Sequence, residues 1–266
     1  MMTERIPLRF VGETRVVRLR ELTGRDERAV LGASTIDAIQ LLDMLLDNSL
    51  TQREQCLCAA DLVAADRDRL LARVYEHAFG DRLESTLRCA RCAQPFELCF
   101  SLSELTESIS KPSSVNGWRQ LGGGRYETAA GVPFRLPTGS DELAVASLSS
   151  KEAESSLLSG CVESDAWPGG VKAFEETLNE VAPLLAFELK ASCPECGHRH
   201  TLQFDIQSYL LGAIVGERRR LLAEVHRLAT AYAWSLDEIL SLTRSDRRHF
   251  VELIEHDTSR KAHFLR

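Results

Sequence analysis

Cys89-Ala90-Arg91-Cys92 and Cys193-Pro194-Glu195-Cys196 read as two copies of one knuckle, and the rest of the chain is placed around them. Each offers two thiolates from a tight turn, and four thiolates complete a tetrahedral zinc ion with no position left for water or substrate. The copies extend past the cysteines. Counted from the second cysteine, Leu98, Phe100 and Leu102 share offsets with Leu202, Phe204 and Ile206, and polar residues alternate between them. That period of two predicts a half-buried strand leaving each knuckle. Upstream, Leu83 and Leu87 match Phe187 and Ala191 in offset from the first cysteine. The expectation is two β-hairpins, each turning at its cysteines and meeting as a zinc ribbon. Cys89, Cys92, Cys193 and Cys196 would then hold one structural Zn2+ per chain.

Residues 93–192 separate the pairs, against a familiar spacing of roughly 15–20 residues. Lengthening a loop from ~20 to ~100 residues adds about 1.4 kcal/mol of closure entropy, small beside roughly 10–16 kcal/mol of apparent zinc binding in small domains. A disulfide within either pair and a thioredoxin-like redox motif are the alternatives. Neither pair has the strand-then-helix context that a redox motif needs. Cys56, Cys58, Cys99 and Cys161 read as small, mostly buried hydrophobes with no ligand role.

The 266 residues are 44% hydrophobic and 27% charged with net charge −7, the composition of an ordinary soluble globular chain. The acidic balance argues against a general nucleic-acid or anionic-membrane surface. Met1 to Pro7 has no apolar core of a leader, and no stretch approaches a membrane span. These features, with no disulfide framework, suggest a cytoplasmic protein.

Taken in order, residues 1–82 read as a short hairpin around Gly12-Glu13-Thr14, then helices. Thr23 is the expected cap of the first helix, with Asp26 and Glu27 in its opening turn. Ile36, Ile39, Leu42, Leu45 and Leu46, and later Leu62, Leu70, Leu71, Val74 and Tyr75, recur at helical spacing and read as core. Residues 83–110 form the first knuckle. Residues 111–186 read as an inserted α/β domain, in which Gly122-Gly123-Gly124 marks a hairpin turn and Ser149 and Glu152 a capping box. Residues 187–206 form the second knuckle, and 207–266 a helical region with a long helix from near Gln207 and a capping box from Ser235 to Glu238. Arg244, Arg247, Arg248 and His249 read as a charged face or a protein contact. The fold class expected is α+β, predominantly helical, with the ribbon at its centre.

Two other chemistries are weighed. Cys161-Val162-Glu163 followed by Cys193 and Cys196 resembles the ligand and proton-shuttle pattern of zinc nucleobase deaminases. Against it, Ser192 stands where proline belongs, a strand rather than a helix follows Cys196, and Cys89 and Cys92 would be left unexplained. A zinc ribbon can also bind nucleic acid. Here Glu84, Glu97, Glu188 and Asp205 offset Arg82, Arg88 and Lys190, which gives little attraction for phosphate. His198 and His200 could replace a cysteine ligand, but they continue the strand's alternation and are left out of the set.

The phrases Leu19-Arg20-Glu21-Leu22-Thr23-Gly24-Arg25-Asp26-Glu27, Phe134-Arg135-Leu136-Pro137-Thr138-Gly139-Ser140-Asp141, Cys193-Pro194-Glu195-Cys196-Gly197, Phe204-Asp205-Ile206 and Glu224 to Ser235 follow one another along the chain. In this order they resemble baseplate or tail-assembly proteins of contractile-tailed bacteriophages and related contractile injection systems. The resemblance implies a non-enzymatic structural or assembly role, with other baseplate or tail subunits as partners and no small-molecule substrate. It also implies a cytoplasmic assembly stage and a place in a tail or injection-system particle.

Overall fold

The computed structural model describes residues 5–10, 16–47, 57–109, 117–122, 124–162 and 167–264, with side chains described as far as residue 257. At the start, β1 (Arg5–Pro7) and β2 (Val16–Arg18) pair antiparallel, with Ile6 opposite Val17; the turn expected at Gly12-Glu13-Thr14 lies outside the described residues. Thr23 caps α1 (Gly24–Ala29) as its sequence suggests. The Asp26 carboxylate accepts from the Thr23 backbone N–H at 2.9 Å and from its hydroxyl at 2.7 Å, which fixes the chain's entry into the helix. Ser34 and Asp37 repeat the device for α2 (Thr35–Leu45). A 3-10 turn (Ala59–Asp61) leads into α3 (Ala64–Phe79), which stops at Gly80. Gly80 has φ +96°, a backbone that suits a residue without Cβ.

The first hairpin follows, β3 (Arg82–Arg88) with β4 (Pro95–Ser101), and runs directly into α4 (Leu102–Ile109). A three-stranded antiparallel sheet comes next, β5 (Trp118–Gly122), β6 (Arg125–Thr128) and β7 (Pro133–Arg135). After it come α5 (Gly139–Val145), α6 (Ser150–Cys161) and α7 (Gly170–Val181). The second hairpin, β8 (Ala186–Ser192) with β9 (Arg199–Asp205), again runs straight into a helix, α8 (Ile206–Gly216). The chain closes with α9 (Arg218–Tyr232), α10 (Leu236–Ser241) and α11 (Arg244–Phe264). This is a mixed, mainly helical fold with small antiparallel sheets.

The apolar stripes on α2, α3 and α8 bury against one another, so Leu41, Leu42, Leu70, Leu71, Leu210 and Leu211 are all fully enclosed. Removing such side chains from water stabilises the fold by roughly 1.5–3 kcal/mol each. A second core gathers around Phe134, whose ring meets Tyr126, Trp167 and Phe174 at centroid distances of 5.6, 5.3 and 6.3 Å. A third, much smaller, holds the cysteines.

Two features of the C-terminal region differ from the sequence-based reading. The long helix expected from near Gln207 is two helices parted at Glu217, whose carboxylate pairs with Arg244 and Arg248. Leu222 and Tyr232 on α9 are exposed. Arg244, Arg247 and Arg248 do not form an open charged face either. Arg247 is 0% exposed and donates to Glu27 at 2.7 Å and Glu224 at 3.1 Å. Interior guanidinium groups persist only where carboxylates and carbonyls replace their water, and α1 and α9 supply them.

Candidate metal centre

Both knuckles are built by one local recipe. In the first, the Cys89 N–H donates to the Gln94 carbonyl at 2.9 Å and the Ala93 N–H to the Cys89 carbonyl at 2.9 Å. In the second, Cys193 donates to His198 and Gly197 to Cys193, again at 2.9 Å. The turn closes on a left-handed residue in each case, Ala93 at φ +59° and Gly197 at φ +68°. The strands pair in full register on either side, Leu87 opposite Phe96 and Ala191 opposite His200. Each loop therefore holds both its sulfurs on the same end of its hairpin.

Aromatic contacts bring the two hairpins together. Phe100 meets Phe204 edge to face with centroids 5.5 Å apart, and Phe96 meets His200 at 5.2 Å. Tyr209, in the helix after the second hairpin, donates from its hydroxyl to the Glu84 carbonyl of the first at 3.1 Å. The thiols then interleave. Cys89 Sγ lies 3.6 Å from Cys196 Sγ, Cys92 Sγ lies 3.7 Å from Cys193 Sγ, and all four sulfurs lie within 4.8 Å of one another. None of the four is in a disulfide. Four sulfurs at the usual zinc–thiolate distance on a tetrahedron would sit about 3.8 Å apart, so the residues fit a tetrahedral cation that favours sulfur, zinc foremost.

Electrostatics point the same way. Burial resists ionisation of Cys89, but the backbone N–H groups of Cys92 and Arg91, then His200 and Cys196, hold its thiol down to about 5. At Cys92 the Gln94 N–H favours the thiolate, yet burial and the neighbouring sulfurs win and push the thiol up to about 12. Packed sulfurs of this kind repel further negative charge, and a divalent cation relieves that repulsion. Cys89 and Cys193 are buried while Cys92 and Cys196 are half-buried, under Leu87, Phe96 and Ala191.

The structure brings Cys89, Cys92, Cys193 and Cys196 together and leaves the other candidates apart. Cys161 is enclosed in the second core beside Phe134, its thiol pushed up to about 11 mainly by burial; Glu163 lies outside the described residues. His198 and His200 meet edge to face with centroids 4.9 Å apart beside the cluster and are not members of it. Cys58 and Cys99, expected to be mostly buried, are exposed. The hairpin surfaces carry both signs, as in the Arg82–Glu84 pair at 3.0 Å. His200 as a neighbour that favours the Cys89 thiolate was not legible in advance. Its strand alternation with Phe204 was the available signal, since it places both rings on the face shared with the other hairpin.

Among the described residues no helix is long and apolar enough to cross a membrane. The sequence profile of a family described as T4 bacteriophage base plate protein matches residues 5–165. No curated protein and no solved structure matches the chain.

Proposed function

From the chain's membership of the T4 bacteriophage base plate protein family, we propose that it is a non-enzymatic structural or assembly component of a contractile tail. In this reading Cys89, Cys92, Cys193 and Cys196 hold one structural Zn2+ and the paired hairpins form a zinc ribbon. The observation that carries it is the convergence of four sulfurs from two distant segments. A site closed by four thiolates supplies no reactive position. Its effect is mechanical, fixing residues 83–110 to residues 187–206 and so ordering what lies on either side.

The proposed units follow from that junction: an N-terminal hairpin and helical region (1–82), the first knuckle (83–110), an inserted α/β domain (111–186), the second knuckle (187–206) and a helical region (207–266). The partners are other baseplate or tail subunits, met in the cytoplasm during assembly and afterwards in the particle. Co-expression with each neighbouring tail gene product, followed by size-exclusion chromatography, tests the role. A stable co-eluting complex is expected. A chain that ignores every tail subunit yet turns over a nucleoside would overturn the proposal.

A further inference from the structure

Two stretches far apart in the chain fold as the same turn. In Leu22-Thr23-Gly24-Arg25-Asp26-Glu27, Asp26 receives both Arg20 guanidinium nitrogens at 2.6 and 2.7 Å and closes on Thr23. In Leu136-Pro137-Thr138-Gly139-Ser140-Asp141-Glu142, Asp141 receives Arg135 at 2.6 and 2.7 Å and closes on Thr138. The strand residue four before each threonine bridges to the residue after the following long helix, Leu19 to Leu46 and Phe134 to Val162. With the paired knuckles, this marks the chain as two copies of one unit.

Each turn is filled by a helix start from outside its own copy. Thr138 bridges Val63 and Thr23 bridges Thr243. The backbone bonds are reciprocal in both, Gly139 N to Leu62 O at 3.0 Å and Ala64 N to Pro137 O at 3.4 Å, then Gly24 N to Leu242 O at 3.2 Å and Arg244 N to Leu22 O at 3.3 Å. The incoming stretches are alike, Leu62-Val63-Ala64-Ala65-Asp66-Arg67 and Leu242-Thr243-Arg244-Ser245-Asp246-Arg247. Their buried arginines find the last glutamate of the turn, Arg67 to Glu142 at 2.8 Å and Arg247 to Glu27 at 2.7 Å. Both glycines are closely packed at these contacts. A Cβ on Gly24 would stand 2.9 Å from Leu240, and one on Gly139 would stand 2.9 Å from Ile39 and 3.1 Å from the Ala60 backbone.

We propose that the Thr-Gly-x-Asp-Glu turn at Leu22–Glu27 is a protein-docking site. Its ligand is a helix start with Asp-Arg as third and fourth residues, and α10–α11 is its resident occupant, held in cis. The second turn shows what recognition consists of, because a different segment satisfies it with the same bonds. The occupant packs with α9 in the C-terminal helices, which also reach α1 through Arg218, whose guanidinium donates to the Arg28 carbonyl at 3.0 Å. Arg247 and Arg248 tie α11 to Glu224 of α9, and Trp234 stacks on Tyr232 and meets Phe250 edge to face. The chain leading into these helices breaks at Glu217.

Hydrogen exchange on the full-length chain tests this. Arg247→Glu, and independently Gly24→Ala, should lose protection in α1, α10 and α11 while α3 and both hairpins keep theirs. A labelled peptide of residues 235–257 should bind the full-length Arg247→Glu chain and not the wild type, and the same peptide carrying R247E should bind roughly thirtyfold or more weakly. Unchanged protection in both variants, loss spread over α3 and the hairpins, or equal binding of the two peptides would overturn the proposal.

Discussion

The two knuckles share register, turn hydrogen bonds and the helix that follows, yet they differ in what supports them. The first puts Ala93 in the left-handed position and Phe96 beside its sulfurs; the second puts Gly197 and His200 there. The equivalent parts are those that aim thiols, and the divergent parts are those that strain or tune the turn. The comparison teaches that the cluster depends on both hairpins equally, whereas local stability is divided unequally between them.

The largest effect should come from the sulfurs. Cys89→Ser and Cys193→Ser should each abolish tight metal binding and lower the unfolding free energy by about 5 kcal/mol or more, given the size of structural zinc contributions. Matched losses in chemical denaturation would support equivalence; a loss confined to one knuckle would break it. Chelator treatment of the wild type should reproduce the same loss.

Next comes the aromatic contact between the hairpins. Phe204 is buried against Phe100, Phe187 and Tyr209, so Phe204→Ala should cost roughly 3–5 kcal/mol. Phe100→Ala, at a half-buried site, should cost less. Thermal unfolding of the pair at one metal concentration checks the order.

A smaller difference is set by pH. The Asp68 carboxylate of α3 accepts the Leu185 N–H at 3.0 Å, just before the second hairpin, and burial pushes it up to about 7. No such buried acid leads into the first hairpin among the described residues. The folded chain keeps a proton that the unfolded chain gives up near the ordinary carboxylate value. Its contribution is therefore complete below about pH 4 and is lost as pH rises to 7, by roughly 2 kcal/mol between pH 5 and 7. Asp68→Asn should remove that part of the pH dependence; denaturation midpoints with the same slope in variant and wild type would contradict it.

The smallest effect isolates the turns. Ala93→Gly should stabilise and Gly197→Ala should destabilise, each by about 1 kcal/mol, because only glycine holds a left-handed backbone without penalty. A Cβ on Gly197 would meet nothing within 4 Å, so the second variant reports backbone strain alone.

Strand alternation and the offset between cysteine pairs were enough to place both hairpins, because a period of two with matched spacing leaves one register. The caps at Thr23, Ser149 and Ser235 were equally legible, being written in residues three apart. The break at Glu217 was not, since Leu210, Leu211, Ile214, Leu221 and Leu228 keep helical spacing across it, and the arginines that meet Glu217 come from a later helix. For the same reason Arg247 looked like surface. Its partner Glu27 lies at the other end of the chain, and no local pattern announces an ion pair that distant. The signal that could have found it was the repeat of Leu-x-x-x-Asp-Arg at Leu62 and Leu242, read together with the two Thr-Gly-x-Asp-Glu turns.

The most direct measurement is X-ray absorption at the zinc edge with metal-to-chain stoichiometry on natively purified protein. One zinc per chain, bound by four sulfurs at about 2.3 Å, present in Cys161→Ser and absent in Cys89→Ser, is the expected result. Zinc bound through three ligands with an oxygen in the fourth position, retained in Cys89→Ser and lost in Cys161→Ser, would contradict the shared ribbon and return the site to catalysis.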